Sequence, residues 1–177
     1  LKQALAYATD HSFNCITVDG CMSTNDMVTI MANGFASNMM IKSNTKDFKK
    51  FSEALTFICT YLAKQIVLDG EGATKFIEIK VDGAKDHSQA KKIALAIANS
   101  NLVKTAAYGS NPNWGRVAAA VGALSLGVTE NNIKITFSSF AKKHIHINVF
   151  LRLGKHQAIV YTSDLSPEYV NINGKYT

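Results

Sequence analysis

The chain has 177 residues, of which 47% are hydrophobic and 18% charged, and it carries a net charge of +6. A disordered chain would be poorer in apolar residues and richer in net charge, so the composition is that of a globular protein, and the length suits one domain. No apolar run approaches the roughly 20 residues of a membrane span, and no basic start leads into an apolar block as in a signal peptide.

In chain order, Leu1, Ala4, Leu5 and Ala8 fall at helical spacing, so the sequence opens inside a helix and residues are expected upstream. Cys15 to Asp19 is rich in β-branched residues and reads as a strand ending at the Asp19-Gly20 turn. Met27 to Ala32 reads as a second short strand closed by Asn33-Gly34, and the two suggest a pair. Phe48 to Val67 is the clearest helix, with Phe48, Phe51, Leu55, Ile58, Leu62 and Ile66 on one apolar face. Phe76 to Val81 alternates apolar and charged residues, as a half-buried strand does. Ser88 to Ala98 favours helix. Leu102 to Tyr108 reads as a strand, Asn113 to Leu126 as a small-residue helix, and Ile133 to Phe137, His144 to Leu151 and Gln157 to Thr162 as late strands. Helices and strands mix without strict βαβ alternation, and no linker interrupts them. The expectation is a single α+β domain over 1–177, built as a layered α/β sandwich.

The lysines cluster in twos and threes (Lys46, Lys49 and Lys50; Lys91 and Lys92; Lys142 and Lys143) with no aromatic residues among them to stack bases. That argues against a nucleic-acid partner. Cys15, Cys21 and Cys59 are odd in number and form no CxxC, which points to a reducing, cytoplasmic setting. Cys15 and Cys59 sit in apolar contexts as packing residues, and Cys21 sits in a polar turn. His144 and His146 lie two apart on one strand, so both face the same side. A metal site there would need a carboxylate or cysteine from elsewhere, and none is expected.

Three polar segments could carry chemistry. Thr17 to Asp26 crowds hydroxyls, an amide and two carboxylates after a strand, and reads either as a self-bonded loop or as a loop orienting a substrate. Asp69-Gly70-Glu71-Gly72-Ala73-Thr74-Lys75 brackets a carboxylate with glycines. It is either an ordinary turn or a grip for an ammonium group, and it lacks the spacing of a Walker loop. In Tyr108 to Arg116, Asn113 can cap the following helix, while Trp114 and Arg116 either dock that helix or line a pocket.

Taken together, ITVDGCMSTNDMV (Ile16 to Val28), DGEGATKFIEI (Asp69 to Ile79), YGSNPNWGRVAAAVG (Tyr108 to Gly122) and the tail SDLSPEYVNINGKYT (Ser163 to Thr177) resemble, in order, the hallmark stretches of the ornithine acetyltransferase family. The resemblance implies the fold shared with self-processing N-terminal-nucleophile aminopeptidases. It also implies a precursor that cuts itself before a threonine, which then serves as nucleophile. The threonine takes acetyl from N-acetylornithine and gives it to glutamate, and some members also use acetyl-coenzyme A as a donor. No other cofactor is implied. The nucleophile would lie upstream of Leu1, so this chain, the C-terminal (β) part, would carry no catalytic residue of its own. What carries over is substrate binding: Glu71 in the GEG turn, Asn173 in the tail, and Thr177, which falls one position short of the family's terminal threonine. The implied partner is the α chain of the same precursor in an α2β2 assembly, without membrane association. Cys21 stands where the family usually has an acidic residue, and Phe137 to His144 is shorter than expected. Two other readings remain: a related self-processing aminopeptidase or amidase, and a non-catalytic binding or assembly module.

Overall fold

The computed structural model describes residues 1–175. Their Cα packing forms two units, neither of them a continuous segment. One comprises residues 1–14 and 22–65, the other residues 15–21 and the described residues from 66 on.

The first unit holds helix α1 (Lys2–Asp10) and most of helix α2 (Lys46–Leu68). Small side chains make its interior: Ala4, Ala8, Cys59 and Ala63 are buried, as is Ser12, whose hydroxyl donates to the Ala8 carbonyl at 2.6 Å. Burial pushes the Cys59 thiol pKa up, against a hydrogen bond with Ser12 that lowers it. Between the helices, residues 22–45 form neither helix nor strand, so the expected strand at Met27 to Ala32 is absent. Met27 and Met31 point outward, and a pleated strand would have buried one face.

Helix α2 corrects two expectations. Its buried positions are Ser52, Cys59, Ala63 and Val67, whereas Ile58, Leu62 and Ile66, expected to face the core, are exposed. By length and composition α2 is also apolar enough to cross a membrane, which no stretch was expected to be. A single helix of this kind is weak evidence for a span, and this one carries a Lys49–Glu53 pair at 3.9 Å.

The second unit is built on a four-stranded mixed sheet in the order β2-β3-β1-β4, formed by β1 (Phe76–Ala84), β2 (Ile133–Phe137), β3 (His144–Leu151) and β4 (His156–Ser163). β1 runs parallel to β3 and antiparallel to β4, and β2 pairs antiparallel with β3. Alternation sends Ile77, Ile79 and Val81 of β1 and Ile145, Ile147 and Val149 of β3 to one face, where each is fully buried. Helices α3 (His87–Ala98), α4 (Asn101–Tyr108) and α5 (Trp114–Gly122) supply Ile93, Ile97, Val103, Val117 and Val121 to that same core. On the other face Val67, Phe76 and Tyr161 form a smaller cluster. Gly83, at φ +75°, lies at the irregularity in β1, where an added Cβ would run into the Leu151 carbonyl. The α+β class and the layered fold therefore hold.

Helices α3, α4, α5 and α6 (Pro167–Asn173) start on polar caps: Asp86, Ser100, Asn113 and, ahead of Pro167, Ser166. The Ser100 cap explains one correction. Residues 102–108, expected as a strand, are helical, because the Ser100 hydroxyl accepts the Val103 amide and Val103, Ala106 and Ala107 then line one buried helical face. Cys15 to Asp19 likewise makes no full strand. It forms one parallel bridge, Ile16 to Tyr161, with the Thr17 amide on the Tyr161 carbonyl at 3.1 Å.

Candidate functional site

The GEG turn and the tail helix meet. Asn173 Nδ2 donates to Glu71 Oε2 at 2.5 Å across 102 positions of sequence, and also to the Tyr169 carbonyl at 3.0 Å. Gly72 makes this approach feasible. At φ +64°, an added Cβ would lie 2.8 Å from Ser166 Oγ and closer still to the Tyr169 amide nitrogen. The Ser166 hydroxyl donates to the Gly72 carbonyl at 2.6 Å while accepting the Tyr169 amide at 3.3 Å, so one side chain caps α6 and ties it to the turn. Two of the three residues expected to bind substrate are thus in contact. Thr177, the third, lies outside the described residues.

The far side of the turn is held by Asp164, a buried carboxylate. It accepts the Thr74 amide at 2.8 Å, the Thr74 hydroxyl at 2.5 Å and the Lys75 amide at 2.9 Å. The Lys75 ammonium in turn donates to the Ala107 carbonyl at 2.7 Å, Ser110 Oγ at 2.6 Å and the Phe140 carbonyl at 2.6 Å, closing the C-terminal end of α4. Beneath these lies Lys104, only 2% exposed. Its Nζ donates to Thr162 Oγ1 at 3.0 Å and to the Ser163 carbonyl oxygen. Burial brings its pKa down to about 8, against the attraction of Asp164 and Asp19.

Asp19 lies in the first polar segment. It accepts the Cys21 amide at 2.8 Å and the Tyr169 hydroxyl at 2.7 Å. Burial alone would raise its pKa, but these two donors, with Lys104 beyond them, hold it below the ordinary carboxylate value. The bond to Asp19 pushes the Tyr169 phenol up to about 12. Thr17 Oγ1 donates to Asn99 Oδ1 at 2.7 Å. The later part of that segment is self-bonded, with the Ser23 hydroxyl on Asn25 Oδ1 at 2.7 Å.

In the third segment Asn113 caps α5 through the Arg116 amide at 3.2 Å, and Arg116 Nη1 donates to the Leu102 carbonyl at 2.7 Å. Trp114 does not dock the helix. It is exposed and borders an open groove of about 400 Å³ with Val121, Val128 and Glu130. A smaller cavity of about 210 Å³, lined by Thr74, Lys75, Lys143 and His144, adjoins the GEG turn. Neither includes Glu71 or Asn173 among its described lining residues. His146 Nδ1 lies 3.5 Å from Glu78, and among the described residues no group of three or more His, Cys, Asp or Glu gathers as metal ligands would.

Sequence reasoning did not find Lys104 or Asp164. The signal was there: a lysine inside the apolar helix LVKTAA, and an aspartate directly after a strand. A cation on a buried face needs an anion nearby.

A model described as the ArgJ family matches residues 1–141. The arginine biosynthesis bifunctional protein ArgJ of Bacillus thuringiensis subsp. konkukian is 43% identical over 196 residues, covering 99% of this chain and 48% of that protein. The protein of the same name from Geobacter sulfurreducens is 44% identical, covering 99% of this chain and 50% of that one. A crystal structure of the Bacillus halodurans arginine biosynthesis bifunctional protein argJ superposes with a TM-score of 0.93 at 38% identity, covering 99% of this chain and 92% of the solved one. The chain spans about half the length of the curated relatives it matches.

Proposed function

The chain belongs to the ArgJ family, and on that premise we propose that it is the C-terminal half of a glutamate N-acetyltransferase. In this reading it moves acetyl from N-acetylornithine to glutamate through an acetyl-threonine intermediate. The threonine is the first residue of the mature β chain, upstream of Leu1, and its own α-amine serves as base. The α chain supplies the donors that stabilise the tetrahedral oxyanion. The role of this chain is to hold the substrate's amino-acid portion, and acetyl-coenzyme A is carried as a second acetyl donor.

The observation that carries the reading is the Glu71–Asn173 contact. A carboxylate offers about four acceptor positions, so Glu71 can bond Asn173 and still receive the ornithine ammonium. Asn173 orients the carboxylate, and α6 brings it there.

The apolar surface supports the same partner. Met22, Met31, Phe35 and Met39 are each at least 90% exposed, and Phe57 of α2 is 75% exposed. A chain in water does not display such a set without something to cover it. The α chain of the same precursor, in an α2β2 assembly, is the occupant assigned here. The three free cysteines suit a cytoplasmic setting.

Denaturing intact-mass analysis of the complete enzyme tests this, before and after brief exposure to N-acetylornithine. The expected result is two chains, one of them beginning at threonine and gaining the mass of a single acetyl group. One uncleaved chain that gains nothing would overturn the reading.

A further inference from the structure

The buried lysine of α4 has no part in the reading above, yet it holds the segment that braces the Glu71–Asn173 pair. Residues 162–166 form a bracket. Asp164 holds the turn that carries Glu71 through the amides of Thr74 and Lys75, and the Asp164 amide itself donates to the Lys75 carbonyl at 3.2 Å. Ser166 holds Gly72 on one side and the start of α6 on the other. Lys104 grips this bracket twice: its ammonium bonds Thr162 Oγ1 and the Ser163 carbonyl, and its own carbonyl accepts the Leu165 amide at 3.4 Å.

Charge links the same parts. An ammonium this deeply buried is strongly disfavoured unless carboxylates lie near it. The two that attract Lys104 are Asp164, which bonds the Glu71 turn, and Asp19, which accepts the Tyr169 hydroxyl of α6. One cation thus draws together the two carboxylates that tether the two halves of the pair.

We infer that Lys104 is a positioning residue, the buried cation that sets the separation of Glu71 and Asn173 and so their grip on the substrate ammonium. The inference rests on the reading of that pair as the substrate clamp. Lys104 touches no substrate; it acts through Asp164, Thr74 and the GEG turn.

The test uses the complete self-processed enzyme, with Lys104→Met, Glu71→Ala and the double variant compared in steady-state kinetics. Lys104→Met is expected to raise the KM for N-acetylornithine about tenfold, the size of one lost charge-assisted hydrogen bond, and to change kcat by less than about threefold. A purely structural lysine would lower the active fraction, and therefore kcat, and leave KM alone. The double variant is expected to have the KM of Glu71→Ala. An unchanged KM in Lys104→Met, or effects on KM that multiply in the double variant, would overturn the proposal. If Lys104→Met yields no folded enzyme, Thr74→Val cuts the same linkage at its hydroxyl. It should raise KM in the wild-type background and not in Glu71→Ala, and no rise would count against the proposal. If the wild-type enzyme transfers no acetyl at all, the functional reading fails, and positioning is then read from amide hydrogen exchange. Faster exchange at Thr74 and Lys75 in the variant supports it, and unchanged protection overturns it.

Discussion

The turn at residues 69–75 and the stretch at residues 22–41 both lie outside helix and strand, each with a glycine at positive φ, and they are held in opposite ways. The turn is bonded to residues about a hundred positions away, through Asp164, Ser166 and Asn173. Among the described residues the stretch's side-chain bonds are local: Ser23 to Asn25, the Phe35 amide to Asn33, Asn38 to the Met39 carbonyl. Its apolar side chains face outward. Distant parts of the chain therefore fix the turn, while the stretch leaves its apolar side chains exposed. The deciding factor is whether the chain's own carboxylates and hydroxyls reach the loop.

The largest expected effect breaks the partner surface. Met31→Asp combined with Phe35→Asp would leave unpaired charges buried against the α chain, at about 2–5 kcal/mol each. Size-exclusion chromatography with light scattering should then find this chain separated from its partner. An intact α2β2 mass would show that the stretch faces solvent in the assembly.

A smaller effect sharpens the contrast through two glycines with similar dihedrals. Gly72 and Gly34 both have positive φ, +64° and +74°, but only Gly72 has neighbours in the way of a Cβ. Gly34→Ala should cost about 1–2 kcal/mol from the left-handed backbone alone. Gly72→Ala should cost about 2 kcal/mol more, because the Tyr169 amide and Ser166 must move, and the difference should appear as a Tm lower by about 4–8 °C. Equal shifts would mean that α6 does not press on the turn.

A further effect is a pH dependence centred on the bonded region. Lys104 titrates at about 8 in the folded chain and near its ordinary 10.5 when unfolded, so between these values the unfolded state binds the extra proton. Stability should therefore rise as pH goes from about 8 towards 10. Tyr161 and Tyr169 are pushed up to about 12 from 10, so above pH 10 the folded state keeps protons that the unfolded state loses, and stability should fall. Urea unfolding across pH 7–11 checks both limbs. Lys104→Met should abolish the rise, and Tyr169→Phe should make the fall shallower. A flat profile would remove the charge linkage from the account.

Local pattern by itself determined several of the elements. The bounds of β2 and β3 follow directly from alternation, and α3 and the long helix α2 follow from helical spacing. Four ordered motifs were enough to name the family, and they pointed to Glu71 and Asn173. Tertiary structure decided the rest. Val103 and Ala107 pack on the sheet as a helix, although Val, Thr and Tyr in that segment favour a strand. The apolar stripe of α2 stays exposed, which no periodicity can reveal. The linkage from Lys104 through Asp164 to the GEG turn joins residues about 30 to 90 positions apart. Hydrogen bonds over such distances are set by the fold, and a sequence read segment by segment holds no trace of them.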